Sequence, residues 1–197
     1  MKTVMVVCGP SGAGKTEIVD RFIDGSDVHV SVWNSFTSRP RRSGEEDGKP
    51  YVFFDRDELY AHIERGEFLE WDEVGEHIYG TLASVTRASG LCVKIMTING
   101  VEQMLKSVPR ERVLTVRVVL DRTELIERLR GRGEDEDFIE ERLSDVPENG
   151  SEWALDFTGR WDVSVYNRNR FASAIASSLR ILAAAHSEEF EDEWSLG

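Results

Sequence analysis

Short, mostly apolar runs recur along the chain, and segments with helical periodicity separate them. Strand candidates, several of them rich in β-branched residues, are Val4–Cys8, Val28–Val32, Tyr51–Phe54, Phe68–Val74, Leu91–Met96, Val113–Leu120 and Trp161–Tyr166. Strands that alternate with helices predict right-handed crossovers and a parallel sheet covered on both faces. We therefore predict an α/β fold.

Six segments carry a helical pattern. They are Lys15–Ile23, a segment begun by Asp55, about Leu82 to Ser89, Asn99–Lys106, a segment from Asp121 to Arg130, and a last helix that places Phe171, Ile175, Leu179, Leu182 and Ala183 on one side. Asp55 with Glu58, and Asp121 with Glu124, have the spacing of a capping box, which marks a helix start. Gly90 can end the third helix in the left-handed conformation.

Two segments fit the predicted sheet poorly. Residues 35–86 are polar and hairpin-like, and residues 131–149 are densely charged, so neither is a plain crossover. We expect both to project over the carboxyl ends of the strands, where such sheets bind ligands. The predicted organisation is a core of residues 1–34, 87–130 and 150–187, an inserted domain at 35–86, a helical lid at 131–149 and an acidic tail at 188–197.

Charge narrows the range of partners. The chain has 197 residues and a formal net charge of −13, and the whole excess lies in residues 132–156 and 186–197. The balanced remainder offers no basic face, so we expect no polynucleotide partner. No apolar run approaches the roughly 20 residues of a membrane span, and the N-terminal run is too short for a signal sequence, so we expect a cytoplasmic protein. Cys8 and Cys92 lie singly in apolar runs and are expected to be buried, reduced thiols.

A phosphate-binding loop is predicted between the first strand and the first helix. Residues Gly9-Pro10-Ser11-Gly12-Ala13-Gly14-Lys15-Thr16 match G-x-x-x-x-G-K-[ST] in that context. The glycines let backbone N–H groups point at phosphate oxygens, and the helix N-terminus adds a positive dipole. Lys15 would reach the β- and γ-phosphates, and the Thr16 hydroxyl would ligate Mg²⁺. The motif alone leaves phosphoryl transfer, hydrolysis and switching open.

The segment from 35 to 81 contains candidates for a second, anion-binding site. Arg39 and Arg42 flank Pro40 and suit bidentate contact with a small dianion, to which Tyr51 and Tyr79 can donate hydroxyl hydrogens. The carboxylate of Glu70, in the apolar run Phe68-Leu69-Glu70-Trp71, needs a donor such as the N–H edge of guanine. The alternatives are that the arginines are solvated loop charges and that Glu70 faces water.

Taken together, these motifs resemble the guanylate kinase family. The chain has G-P-S-G-x-G-K-T, then Ser35-Phe36-Thr37-Ser38-Arg39 with Arg42 and Gly44-Glu45, then G-E-F-L-E-W, Tyr79-Gly80-Thr81 and Gly131-Arg132-Gly133, in the family's order and spacing. The resemblance spans residues 4–182. It implies a P-loop NTPase-type parallel sheet with an inserted nucleotide-binding segment and a helical lid. It also implies transfer of the ATP γ-phosphoryl group to GMP or dGMP, with Mg²⁺ as cofactor.

The resemblance also implies roles for individual residues. The guanine readers are Ser35, Glu70 and Thr81, and the acceptor-phosphate clamp is Arg39, Arg42, Tyr51 and Tyr79, with Glu45 in support. Arg132 and Arg142 correspond to lid cations that contact the transferring phosphate, and Asn167 lies where the family places a residue near the adenine. No protein nucleophile is needed, because alignment and charge neutralisation supply the catalysis.

One departure concerns acidic residues. The family usually has a D-x-D-like run before its Q-G turn, whose last carboxylate serves the Mg²⁺ and guanine network, but this chain has Ile95 and Thr97 at those positions. We expect a weaker metal site or a relaxed reading of the base. Thr97 can still accept one hydrogen bond in the GMP site, and Asp121 or Asp72 are candidates to compensate. A milder departure is Arg168, where the family often has an acid.

Two alternatives stay open. A kinase of another, modified nucleoside monophosphate would explain Thr97. A non-catalytic module, like the guanylate-kinase-like domains of membrane scaffolds, would bind phosphorylated peptides, although such modules typically lose the loop lysine that this chain keeps as Lys15. The expected partners are small-molecule nucleotides, and the expected state is a monomer or homodimer.

Overall fold

The computed structural model describes residues 3–27, 29–41, 45–48, 51–84, 91–143, 161–168 and 172–191. The strands are Thr3–Cys8 (β1), Val30–Val32 (β2), Ser35–Thr37 (β3), Tyr51–Phe53 (β4), Phe68–Val74 (β5), His77–Leu82 (β6), Leu91–Ile95 (β7), Val113–Val119 (β8) and Val163–Tyr166 (β9). The helices are Lys15–Asp24 (α1), Arg56–Glu64 (α2), Ile98–Ser107 (α3), Arg122–Gly131 (α4), Glu136–Leu143 (α5) and Ala172–Glu191 (α6). Within these ranges, no helix combines the length and apolar character of a membrane span.

The larger sheet has five strands in the order β2-β7-β1-β8-β9. The described registers of β2 with β7 and of β8 with β9 are parallel. Every residue of β8 is buried, as expected for a β-branched strand that has neighbours on both sides and helices over both faces. The predicted parallel α/β sheet is thus confirmed.

The second sheet is mixed and has four strands in the order β4-β3-β6-β5. Strands β5 and β6 form an antiparallel hairpin, β6 pairs antiparallel with β3, and β3 pairs parallel with β4. One face is covered by aromatic side chains, since the ring of Phe54 lies 5.6 Å from Phe36 and 5.7 Å from His62 of α2. The other face is free to carry polar residues.

The chain divides into two compact units. Unit 1 comprises residues 1–6 and 28–113 and contains the four-stranded sheet, α2 and α3. Unit 2 comprises residues 7–27 and 114–197 and contains α1, α4, α5, β8, β9 and α6. In unit 2, α4 and α5 pack through a buried cluster of Leu120, Leu125, Leu129, Ile139 and Leu143.

The charged segment after residue 131 therefore contributes more to the core than its composition indicates. Ile139 and Leu143 of α5 are buried, whereas Glu136 lies on the exposed side and pairs with Arg130 at 2.7 Å. The acidic residues at the start of α5 thus form a solvated face, and the apolar residues behind them hold the helix to α4.

Most predicted elements are confirmed, including the burial of Cys8 and Cys92 and the capping box of Asp55 with Glu58. The second capping box is wrong. Asp121 does precede α4, but its side chain bonds Tyr166 and Arg168, and Glu124 pairs with Arg128 at 2.7 Å. These partners therefore take the carboxylates away from the backbone N–H groups.

Two further expectations fail in part. Leu82 ends β6 instead of beginning a helix, and most of the segment predicted to follow it, with Gly90, lies outside the described residues. On α6, Ile175, Leu179 and Ala183 are buried as predicted, but Leu182 is 41% exposed. Leu182 follows Leu179 by three positions, which rotates it to the edge of the apolar stripe. Phe171 lies outside the described residues.

Candidate active site

The predicted phosphate loop, residues 9–16, joins β1 to the start of α1 in unit 2. Gly9, Gly12 and Gly14 all have positive φ. At Gly14, with φ 85°, a Cβ would lie 2.5 Å from Nδ2 of Asn167, so only glycine fits there. Lys15 extends back over the loop, and its Nζ donates to the carbonyl oxygens of Gly9 and Pro10, each at 2.8 Å. The loop thus has the geometry and the cation that phosphate binding requires.

Asn167, predicted near the adenine, lies against this loop. The side chain is only 1% exposed, and its Nδ2 donates to the carbonyl oxygen of Ala13 at 2.7 Å. Arg128 of α4 donates to the backbone carbonyl of Asn167, also at 2.7 Å. Asn167 therefore supports the backbone of the loop, whereas contact with adenine stays a prediction.

Thr16 is the candidate metal ligand of this unit. It is exposed in the first turn of α1, next to Lys15. Among the described residues there is no group of three or more His, Cys, Asp or Glu side chains that would hold a metal ion by itself. A hydroxyl without a carboxylate cage fits Mg²⁺, because this ion keeps several waters and is bound largely by substrate phosphates.

The two predicted lid cations differ in how far they can be described. Arg132 is exposed and is the C-cap residue that directly follows α4. Arg142 belongs to α5, and its side chain is not described. Asp121, a candidate to replace the missing acids, pairs instead with Arg168 at 2.7 Å, so the departure at Arg168 has a partner of its own.

In unit 1, the strand registers place the predicted acceptor-site residues on one face of the four-stranded sheet. Side chains two apart share a face, as do directly opposed residues of neighbouring strands. The opposed pairs are Ser35 with Tyr51, Thr37 with Tyr79, Tyr79 with Asp72, and Thr81 with Glu70. This polar face lies opposite the aromatic face that packs on α2.

Glu70 is the buried acid of this face. The side chain is 4% exposed, and Oε1 accepts a hydrogen bond from Thr81 Oγ1 at 2.5 Å. Burial raises the pKa of the Glu70 carboxyl, while the bond from Thr81 and the charge of Lys94 oppose that rise. Glu70 does not face water, which removes the alternative considered for it.

Lys94 of β7 is a buried cation beside the same acid. The side chain is 1% exposed, and Nζ donates to Ser35 Oγ at 2.6 Å and to the Trp33 carbonyl oxygen at 3.2 Å. Desolvation lowers the pKa of Lys94 to about 8, and the charge of Glu70 opposes that fall. Ser35 is therefore tied directly to an ammonium group.

Thr97 is the N-cap residue of α3 and contacts an acid from β5. Its Oγ1 accepts from the Gly100 backbone N–H at 3.0 Å and donates to Asp72 Oδ2 at 2.8 Å. Asn99 Nδ2 donates to the other oxygen of Asp72 at 3.0 Å. Of the two acids considered as replacements, Asp72 is thus the one beside Thr97.

The acceptor-phosphate candidates form a second cluster in unit 1. Arg39 is 8% exposed, and its Nη2 donates to Glu45 Oε1 at 2.7 Å, which raises the pKa of the guanidinium. Its Cζ lies 5.3 Å from the ring centre of Tyr51, and that ring lies 6.1 Å from the ring of Tyr79. Arg39 is therefore not a solvated loop charge. Arg42 lies outside the described residues.

Sequence reasoning missed two contributors to this site. Lys94 lies within a predicted strand, and only its distant partner Ser35 gives it a role. Gly100 follows Asn99 in α3, and a Cβ there would lie 2.7 Å from Glu70 Oε2. Gly100 allows the Glu70 carboxylate to approach α3. The one feature of the sequence that could have revealed these contributors is a lysine within an apolar run.

A phosphate loop lies between β1 and α1 of a parallel sheet. A separate unit carries two side-chain clusters, one around the acid Glu70 and one around Arg39. These features define a P-loop nucleotide-binding protein. The comparisons with known proteins specify the family. Residues 1–174 match the family model for guanylate kinase. The chain is 38% identical over 171 residues to the guanylate kinase of Thermotoga maritima, which covers 84% of this chain and 79% of that protein.

Other relatives agree. The chain is 40% identical over 159 residues to the guanylate kinase of Alkalilimnicola ehrlichii, covering 77% and 76% of the two chains. In fold, it matches the crystal structure of guanylate kinase from Anaplasma phagocytophilum with a TM-score of 0.68 at 20% identity, over 93% of this chain and 85% of that one. The protein belongs to the guanylate kinase family.

Proposed function

We infer that the protein transfers the γ-phosphoryl group of ATP to GMP, giving ADP and GDP. Membership of the family supports this reaction. Within the structure, the observation that carries it is the buried Glu70–Thr81 pair, because an acceptor for N–H groups lies on the sheet face that also bears Tyr51 and Tyr79. A nucleoside monophosphate has a base with N–H donors at one end, which such an acceptor can bind. At its other end it has a phosphate, which accepts hydrogen bonds from hydroxyl groups.

Unit 2 supplies the donor site. Backbone N–H groups of the loop and the N-terminus of α1 would hold the ATP phosphates, with Ser11, Gly12, Ala13 and Gly14 lining them and Lys15 exchanging its two loop carbonyls for phosphate oxygens. Thr16 would hold Mg²⁺, which when bound neutralises charge on the phosphate oxygens. Asn167 and Arg128 keep the loop in the required shape.

Unit 1 supplies the acceptor site. Glu70 and Thr81 would face the N1 and 2-amino hydrogens of guanine, Ser35 would face its 6-oxo group, and Thr97 would lie beside them with Asp72. Arg39, oriented by Glu45, would hold the acceptor phosphate with Arg42 and the hydroxyls of Tyr51 and Tyr79. We propose dGMP as a second acceptor, because none of these residues is assigned to the ribose.

The remaining chemistry is charge neutralisation. We propose that Arg132 and Arg142 contact the transferring phosphoryl group, as no protein nucleophile is required. We also propose that the protein works in the cytoplasm as a monomer or homodimer on free nucleotides. The binding-module alternative is not favoured, since Gly12, Gly14 and Lys15 are retained.

Coupled measurement of ADP release tests the reaction. The purified protein is mixed with ATP, Mg²⁺ and one of GMP, dGMP, IMP, AMP, CMP or UMP. We expect the highest kcat/KM with GMP, followed by dGMP, and no turnover with the pyrimidines. ATP binding without turnover on any acceptor would refute the inferred activity, and a preference for another base would refute the choice of acceptor.

A further inference from the structure

The hydrogen bond between Lys94 and Ser35 constrains which way the serine hydroxyl can donate. An ammonium group has three donors and no acceptor, so Ser35 Oγ must accept from Lys94 Nζ, at 2.6 Å. The hydroxyl hydrogen of Ser35 is then directed to some other acceptor. Lys94 is the one side-chain partner that the described residues provide for that hydroxyl.

Glu70 adds a hydrogen-bond acceptor beside Lys94, in addition to the donor that Ser35 provides. Its charge acts on Lys94, and its Oε1 already accepts from Thr81, which leaves Oε2 toward Gly100. Ser35 and Glu70 both lie beside Lys94, so a ligand edge at this place would meet a hydroxyl donor from Ser35 and a carboxylate acceptor from Glu70. Guanine presents the matching sequence, a 6-oxo acceptor next to N1 and 2-amino donors, whereas adenine presents a 6-amino donor next to an acceptor at N1.

We propose that Lys94 is a positioning residue for base selection, which holds the Ser35 hydroxyl as a donor and thereby favours a base with a 6-oxo group over one without it. This proposal rests on the inferred GMP kinase activity and adds a determinant of its specificity. Lys94 acts through Ser35 and has no described contact with the phosphate-binding residues.

The burial of Lys94 explains why it can hold the Ser35 hydroxyl in one orientation. Nζ makes one further bond, to the carbonyl oxygen of Trp33 at 3.2 Å, so its position is fixed by backbone as well as by Ser35. A side chain that is 1% exposed cannot exchange these partners for bulk water. Removal of the ammonium group frees the Ser35 hydroxyl to rotate and to accept a hydrogen bond from a ligand. A base with a 6-amino donor can then bind.

A double-mutant cycle tests the proposal. The variants are Lys94→Met, which is apolar and similar in length, Ser35→Ala and their combination, with exposed Lys106→Met of α3 as the matched control. For each variant, KM and kcat are measured with GMP, with IMP and with 2-aminopurine riboside 5′-monophosphate, which lacks the 6-oxo group. A thermal melt of each protein reports whether it folds.

We expect Lys94→Met to raise KM for GMP and for IMP about 10-fold, the effect of one hydrogen bond, with kcat and KM for ATP unchanged. The preference for GMP over the 2-aminopurine nucleotide should fall by the same factor, while the ratio of GMP to IMP stays constant. On the Ser35→Ala background, Lys94→Met should have no further effect. Lys106→Met should match the wild type throughout.

Additive effects of the two substitutions, or an unchanged preference for the 6-oxo group in Lys94→Met, would overturn the role of Lys94. If Lys94→Met does not fold, Lys94→Gln takes its place, and the same cycle with Ser35→Ala decides. Wild-type turnover with GMP is measured first, since its absence refutes the kinase activity itself, whereas its presence with an additive cycle refutes only the positioning role.

Discussion

Thr97 Oγ1 donates a hydrogen bond to Asp72 Oδ2 at 2.8 Å, which brings an acid from β5 to the start of α3. The resemblance in sequence predicts that the family usually carries an acid at the position of Thr97. The carboxylate beside Thr97 thus comes from β5, and the Thr97 hydroxyl serves as its hydrogen-bond donor and as the cap of α3.

Restoring the acid should therefore harm the protein. Thr97→Asp places a second carboxylate next to Asp72, and the two repel while both are ionised. Compared with Thr97→Asn, which is a neutral cap of the same shape, we expect an unfolding free energy lower by about 1 kcal/mol at pH 7. Urea titrations of both variants at pH 7 measure this difference, and a more stable Asp variant would contradict the role of Asp72.

Lys15→Ala should abolish transfer without unfolding the protein. Lys15 is only partly buried, and its Nζ donates to the backbone carbonyl oxygens of Gly9 and Pro10. Removal of one preorganised cation from a phosphate site costs at least about 100-fold in kcat. The measurement is kcat with GMP alongside the thermal midpoint. An unfolded Lys15→Ala protein would show that the lysine has a structural role.

Glu70→Gln should impair the use of GMP selectively. The substitution keeps the shape and the bond from Thr81 but removes the charge, and a hydrogen bond to a charged group is worth roughly 1.5–3 kcal/mol. We expect kcat/KM for GMP to fall about 10- to 150-fold by that measure, with KM for ATP unchanged. The control is Glu73→Gln, three residues along β5 and exposed. Equal losses for both variants would exclude a specific role for Glu70.

Gly100→Ala should separate activity from stability. The new Cβ would lie 2.7 Å from Glu70 Oε2, so the carboxylate must move away from α3. Alanine also favours the helix by up to about 1 kcal/mol, so the thermal midpoint should hold or rise while KM for GMP increases. Gly131→Ala is the matched control, because it lies at the end of α4 with nothing within 4 Å. An unchanged KM in Gly100→Ala would show that Glu70 does not need this space.

Lys94 should make stability depend on alkaline pH. The folded protein releases the Lys94 proton near pH 8, and the unfolded chain retains it to about pH 10.5. Between these values the unfolded state binds more protons, so the unfolding free energy rises with pH by up to about 1.4 kcal/mol per unit from this group. Urea titrations at pH 7.5 and 9.5 should show this rise in the wild type relative to Lys94→Met. Parallel pH profiles for the two proteins would contradict it.

Local patterns predicted most of the elements, because the helices and the strands of the five-stranded sheet carry their own periodicity. Strands β3 and β6 were not predicted as strands, since Ser35–Thr37 has three residues and His77–Leu82 contains Gly80. Both are stabilised by pairing with each other, which no short window of sequence contains.

The candidate site shows the same limit. Motif spacing pointed to the phosphate loop, to Glu70 with Thr81 and to Arg39 with its neighbours, and the structure shows which of these residues are in contact, while their roles stay predictions. The role of Lys94 depends on Ser35, which is 59 residues away, and the partners of Asp121 are 45 or more residues away. A titratable side chain can be found in the sequence, but the group it pairs with is chosen by the tertiary fold.

The amide of Asn167 holds the carbonyl of Ala13 across 154 positions of the chain. During synthesis, the loop leaves the ribosome long before the strand that carries its support. Competence to bind ATP should therefore be acquired late, once nearly all of the polypeptide is available. A truncated nascent chain that ends before β9 would carry the complete loop sequence and still lack the clamp that sets its shape.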